Sequence, residues 1–214
     1  MKTLIVIVAA VLVVSSGSAL AQGKTETYII ARTGVTGEGA ATYRYFEVFQ
    51  QKGKWIYPDV GYLDFADARD YREAYIGAGG VLFSTKHITV LEEGYIDVAT
   101  GSAGKGATYF QPWTLVAIAL TAKLGAEVVY FPYLPLNNVA RIQHVLERAK
   151  LEYDLGHVKL GAGYGGYRFG DESWSNRPFV TGTVKLGLLG SLELWLQKMP
   201  RGSQVQVRYA KVLR

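Results

Sequence analysis

Cysteine is absent from the 214 residues. The chain therefore has neither a disulfide framework nor a cysteine to carry an N-terminal lipid, and its stability must rest on packing or backbone pairing. Methionine (2) and proline (6) are scarce. Charge of one sign is nowhere concentrated: the formal net charge of +5 is spread among acids, which argues against a nucleic-acid partner. Beyond residue 22 there is no long apolar run. No helix of that part could cross a bilayer, since about 20 consecutive apolar residues are needed. A closed β-barrel could, because paired strands satisfy their backbone groups without a continuous apolar segment.

What is plentiful is tyrosine (15) and glycine (25), a combination that suits strands and tight turns better than a helical bundle. The chain opens MKTLIVIVAAVLVVSSGSALAQ, with one Lys2, an apolar run from Leu4 to Val14 and small residues ending at Ala21. That is the three-part pattern of a secretory signal peptide over residues 1–21, cleaved before Gln22. The remainder, 22–214, has the size of one domain, about 190 residues.

Runs of alternating or β-rich residues bounded by turn chemistry predict about twelve strands. They span 25–33, 41–51, 54–65, 70–83, 86–98, 108–123, 126–134, 143–154, 157–168, 178–187, 191–198 and 203–212. Short connections fall at Lys52-Gly53, Ser84-Thr85, Leu124-Gly125, Leu155-Gly156 and Leu188-Leu189-Gly190. Longer polar ones begin at Gly34, Ala66, Thr100, Pro135 and Gly170. An even number of strands with short turns at one end and long loops at the other is the organisation of an up-and-down outer-membrane barrel.

Residues 138–153 also fit an amphipathic helix, with Asn138 as cap, Val139, Ile142, Leu146, Ala149 and Tyr153 on one face and Gly156 as stop. A hairpin turning at Leu155-Gly156 accounts for both flanking segments at once. It pairs Asp154 with His157, Glu152 with Lys159, Lys150 with Gly161, Arg148 with Gly163 and His144 with Tyr167. The other face pairs Tyr153 with Val158, Leu151 with Leu160 and Ala149 with Ala162, and only Glu147, opposite Tyr164, interrupts it. A second hairpin, turning at Leu188-Leu189-Gly190, sets Lys185 against Glu193 and Thr183 against Trp195, with Val184 against Leu194 behind them. Strand is adopted for 145–154 and loop for 138–142. Helix there would remove a strand and with it the barrel.

Period two alone does not say which face is inside. A soluble sandwich or lipocalin-like ligand cup would put the ionic face in water, whereas a membrane barrel would put it in the lumen. Aromatics near strand ends, among them Trp55, Tyr57, Tyr71, Phe83, Tyr109, Tyr130, Tyr133, Tyr167, Phe169 and Tyr209, favour the second as interface girdles.

On the signal peptide, the alternating strands and the two turn lengths, the chain resembles the Gram-negative outer-membrane β-barrel proteins as a class, and in size it is similar to the small twelve-stranded channels for acidic sugars. The resemblance implies an exported, all-β, antiparallel transmembrane barrel in the outer membrane, with lipids and small hydrophilic solutes as partners. In that reading Arg148, Lys150, Glu152, Asp154, His157, Lys159, Lys185, Glu193, Gln204, Gln206 and Arg208 line the pore, and their basic members favour anionic solutes. A barrel that transports nothing, serving envelope structure or presenting its loops, is the alternative. No metal-ligand cluster or phosphate loop is evident, so no cofactor is expected. Ser84 with His87 is the nearest thing to a catalytic pair, and polar residues are expected beside a tight turn in any case, so an enzyme is not expected.

Overall fold

The computed structural model describes residues 25–36, 42–65, 70–199 and 202–213. The expected signal peptide lies outside them. The strands are β1 (Thr25–Thr36), β2 (Thr42–Lys52), β3 (Trp55–Phe65), β4 (Tyr71–Ser84), β5 (Ile88–Ala99), β6 (Thr108–Ala119), β7 (Leu124–Pro135), β8 (Gln143–Asp154), β9 (Val158–Phe169), β10 (Ser175–Lys185), β11 (Ser191–Lys198) and β12 (Ser203–Leu213). Each pairs antiparallel with its sequence neighbours, and β1 closes on β12 through pairs such as Tyr28↔Val212 and Arg32↔Arg208. Closure leaves no open sheet edge, so the ladder itself satisfies the backbone.

The burial pattern settles which face is inside. Along β11, Glu193, Trp195 and Gln197 are buried, while Leu192, Leu194 and Leu196 are 42%, 44% and 48% exposed. Val180, Val184, Leu151 and Leu160 are likewise exposed on the outer face. Polar side chains inside and a band of aliphatic ones outside is the reverse of a soluble ligand cup, and is the pattern of a barrel solvated by lipid.

Residues 143–154 are strand and 136–142 a connection, so the helical alternative does not form. Both hairpins differ from the expected register by two residues, in opposite directions. Asp154 faces Lys159, Glu152 faces Gly161 and Lys150 faces Gly163. The turn is centred on Gly156-His157, closed by the Leu155 amide donating to the Val158 carbonyl. Gly156, at φ +100°, takes the first central position, where a primed turn requires a glycine. His157 is therefore a turn residue and not the partner of Asp154. In the β10–β11 hairpin Thr183 faces Glu193 and Lys185 faces Ser191, because the connection is the five-residue stretch 186–190 with left-handed Gly187 and Gly190. A slide of two residues leaves every side chain on its face.

Other boundaries moved for local reasons. Leu124-Gly125 belongs to β7. The turn before it is organised by the Thr121 hydroxyl, which accepts from the Lys123 and Leu124 amides. In β8 the register shifts between Leu146 and Ala149, inserting an extra residue. This bulge turns Glu147 away from the apolar face, where alternation had placed it, and gives the interior two consecutive charged side chains, Glu147 and Arg148. Beyond the bulge the alternation is inverted. His144 faces Arg168, not Tyr167, and it lies on the outer face bonded to Tyr130 at 2.7 Å.

Candidate functional site

The interior carries two unlike walls. On β7–β12 the inward charges form a connected network, with Lys185 and Asp154 as a separate pair beside it. The Lys150 ammonium lies 2.9 Å from Glu152, 3.0 Å from Glu193 and 3.2 Å from Glu127. Lys159 pairs with Glu152 at 2.7 Å, Lys185 with Asp154 at 2.7 Å, and Arg208 reaches Glu193 at 3.7 Å. Arg148 donates to Glu127 at 2.6 Å and to Glu147 at 2.9 Å. Strands can hold such long cations side by side because the wall opposite is bare. A Cβ on Gly161 would meet the Lys150 stem at 3.2 Å and Thr181 Oγ1 at 2.5 Å, and one on Gly163 would lie 2.7 Å from the Phe179 ring.

The network borders two contiguous cavities at the short-turn end. One, about 350 Å³, is lined by Lys150, Lys159, Lys185, Arg208, Glu127, Glu152 and Glu193 among others. The second, about 340 Å³, shares Glu127, Lys150, Glu152 and Lys159 with it and adds Lys86, Lys123, Asp154 and turn residues. Taken together, lysine and arginine outnumber the acids along this vestibule.

The second wall, on β2–β5, is acidic and built differently. Glu47, Asp59, Glu73, Glu93 and Asp97 are all buried. Among the described residues of β2–β6, Arg44 pairs with Asp64 and Arg72 with Asp64 and Asp70, and neither reaches these acids. Tyrosine hydroxyls serve three of them: Tyr45 donates to Glu47 at 2.8 Å, Tyr71 and Tyr133 to Glu73 at 2.6 and 3.0 Å, and Tyr95 to Asp59 at 3.0 Å. The Tyr75 ring packs edge-on against Tyr95, and its hydroxyl lies 2.6 Å from that of Tyr45. Glycines make this possible too, since a Cβ on Gly61 or Gly77 would sit 2.2 Å from the Tyr75 or Tyr95 ring. Toward the long-loop end Ala99, Ala107, Tyr109, Tyr133 and Ala140 form an apolar cluster, with Tyr71, Phe131 and Val145 packed on it.

Of the residues singled out from sequence, Arg148, Lys150, Glu152, Lys159, Glu193 and Arg208 meet in the ion network, and Asp154 and Lys185 form a separate pair beside it. Gln204 and Gln206 sit beside it in an amide cluster, Gln206 donating to Gln204 at 2.7 Å and to Gln197 at 3.4 Å. His157 stands apart in its turn. The three histidines are dispersed, and the Ser84 hydroxyl is engaged with Thr89 at 3.1 Å. Among the described residues no group of His, Asp and Glu side chains is arranged to hold a metal ion.

Sequence reasoning missed Arg32, Glu127, Glu147 and the whole acidic wall. The acidic wall had a legible signal: Tyr45-x-Glu47, Tyr71-x-Glu73-x-Tyr75 and Glu93-x-Tyr95-x-Asp97 place tyrosine and carboxylate on one face at period two. Several aromatics assigned to interface girdles belong to this interior instead, Tyr71, Tyr109 and Tyr133 among them, whereas Tyr57, Phe83 and Tyr130 are exposed outside.

No protein-family model matches the sequence, and no curated protein matches it significantly. Solved structures do match. The barrel aligns with the KdgM porin in complex with disordered oligogalacturonate at a TM-score of 0.66 and 11% identity, covering 87% of this chain and 99% of that one. It aligns with the NanC porin at a TM-score of 0.62 and 10% identity, covering 86% of this chain and 98% of that one. At this identity the likeness is one of fold, and the fold is that of an outer-membrane porin, twelve antiparallel strands closed into a single barrel.

Proposed function

We propose that the protein is a narrow passive channel of the outer membrane for small hydrophilic solutes, with anionic ones favoured. The observation that carries this is the vestibule at the short-turn end, the periplasmic end in this fold. Its lining has a cationic excess and runs into a polar interior while the outer face is aliphatic. Selection would be electrostatic, with Lys150, Lys159, Lys185 and Arg208 offering fixed charges to a solute that competes with their carboxylate partners. The similarity to a porin described with oligogalacturonate supports the same reading. Single-channel recording in planar bilayers tests it: the expected result is a small conductance with anion preference, and silence or cation preference would overturn it.

A barrel that transports nothing is the second reading, and the mutual neutralisation of the inward charges favours it. Silent bilayers from protein that still shows heat-modifiable gel mobility would establish that reading. We further propose that residues 1–21 are an export signal, so that the mature protein begins at Gln22. N-terminal sequencing of protein recovered from the outer membrane checks this.

A further inference from the structure

The Arg32 guanidinium and the Glu147 carboxylate meet at 2.7 Å. Arg32 is on β1 and Glu147 on β8. Around the closed barrel these strands are separated by β9–β12 on one side and by β2–β7 on the other. Their contact therefore cannot run along the wall, and must cross the lumen. Both ends are fixed. Arg32 lies against the rings of Tyr45 and Trp195, each centred 5.7 Å from the guanidinium. Glu147 is brought inward by the β8 bulge and held from behind by Arg148 at 2.9 Å. Arg148 is anchored in turn on Glu127.

We infer that the Arg32–Glu147 pair is a strut across the lumen that sets the size limit of the channel. The inference rests on the channel reading above. The contact is made by side chains alone, so the strut can be removed without disturbing the backbone ladder. It also divides the interior at this level into a sector bounded by the acid and tyrosine wall and a sector bounded by β9–β12. A solute passing through must fit one sector or displace the pair. A bulge that costs a ladder position but supplies a cross-lumen charge fits such a role, since bulges in barrels serve to re-aim a side chain.

The test compares wild type with Arg32→Ala, Glu147→Ala and the charge-swapped double variant Arg32→Glu/Glu147→Arg, each shown to be folded by heat-modifiable gel mobility. Conductance in planar bilayers is read alongside swelling of proteoliposomes in sugars of graded size. The expected result is a severalfold rise in conductance and a larger sugar cutoff in both single variants, with return toward wild type in the swap. Wild type that conducts, with single variants of unchanged conductance and cutoff, overturns the strut and leaves the channel standing. A silent wild type with conducting single variants supports the strut as a closure while removing the open-channel reading. Silence from all folded forms overturns both. If an alanine variant does not fold, the swap and Glu147→Gln decide together, because a wild-type cutoff in the swap with an enlarged one in Glu147→Gln requires the two charges to meet, and an unchanged cutoff in folded Glu147→Gln overturns the strut.

Discussion

The two walls of the lumen both bury charge-bearing side chains, by opposite means. On β7–β12 carboxylates are matched by ammonium and guanidinium groups, so the wall holds together through charge. On β2–β5 carboxyls are met by tyrosine hydroxyls, and the Tyr75 and Tyr95 rings lie over Gly61 and Gly77, so that wall holds together through shape and neutral donors. The difference teaches where each wall is vulnerable: removing one charge should break the first, and adding one methyl group should break the second.

The largest effect is expected from Arg148→Leu. It leaves Glu127 and Glu147 facing each other's surroundings without their shared cation, and Arg148 is 5% exposed. Removing one partner from a buried pair costs about 3 to 5 kcal/mol. The check is the temperature at which the folded gel band is lost, which should drop well below wild type.

Next is Gly77→Val on the acidic wall, a change that alters no charge. The new Cβ would sit 2.2 Å from the Tyr95 ring, which must then leave its place against Asp59 and Tyr75. Overpacking of this kind costs about 1 to 3 kcal/mol. Near-ultraviolet circular dichroism should show the loss of fixed tyrosine packing, and an unchanged spectrum would mean that the rings do not depend on the glycine.

How much of this was legible follows from what period two can and cannot encode. The number of strands and their order were readable because charge or glycine recurs at every second residue, as at 150, 152 and 154 in β8 and at 159, 161 and 163 in β9, whereas the pairing of Lys150 with Glu127 and Glu193 was not. The register was not, because the position of Gly156 within its turn is a matter of φ, not of pattern. Glu147 was read as a flaw in an apolar face because a bulge leaves no mark in alternation except such a flaw. Arg32 could not be paired from sequence at all, since its partner is 115 residues away across a space that only the closed barrel creates. Position near strand ends points tyrosines such as Tyr71 to the membrane interface, whereas period-two spacing to Glu47, Glu73 and Asp97 marks Tyr45, Tyr71, Tyr75 and Tyr95 as interior.

Glu73→Gln sharpens the comparison from the other side. Glu73 accepts hydroxyl protons from Tyr71 and Tyr133, and an amide retains one acceptor and offers a donor to the other tyrosine. The loss should stay within about 1 kcal/mol, the scale of one neutral hydrogen bond. The same acid-to-amide change at Glu147 should be far worse, because guanidinium partners need the charge. Thermal shifts of the two variants measured together decide whether the walls differ in kind.

The smallest effect lies above the acidic wall, at the long-loop end, where charge reappears outside the strands. Asp70 takes the Ser102 amide on its carboxylate at 3.1 Å and pairs with Arg72 at 2.8 Å, tying the β3–β4 connection to the β5–β6 loop. The Ser102 backbone N–H, and after it the Ser102 side chain and Arg72, hold the Asp70 carboxyl below its ordinary value. A depressed pKa means that the tie is fully present above the unfolded value, about 3.9. It is lost as pH falls through the lower folded value. Hydrogen exchange at the Ser102 amide should therefore be protected at neutral pH and lose protection as the solution is acidified below that range. Asp70 also sits at φ +43°, a conformation that asparagine tolerates. Asp70→Asn should accordingly keep the loop's shape and an acceptor oxygen while removing the acid dependence, so that Ser102 protection becomes flat across the acid range. A variant that kept the wild-type acid transition would assign that transition to another group.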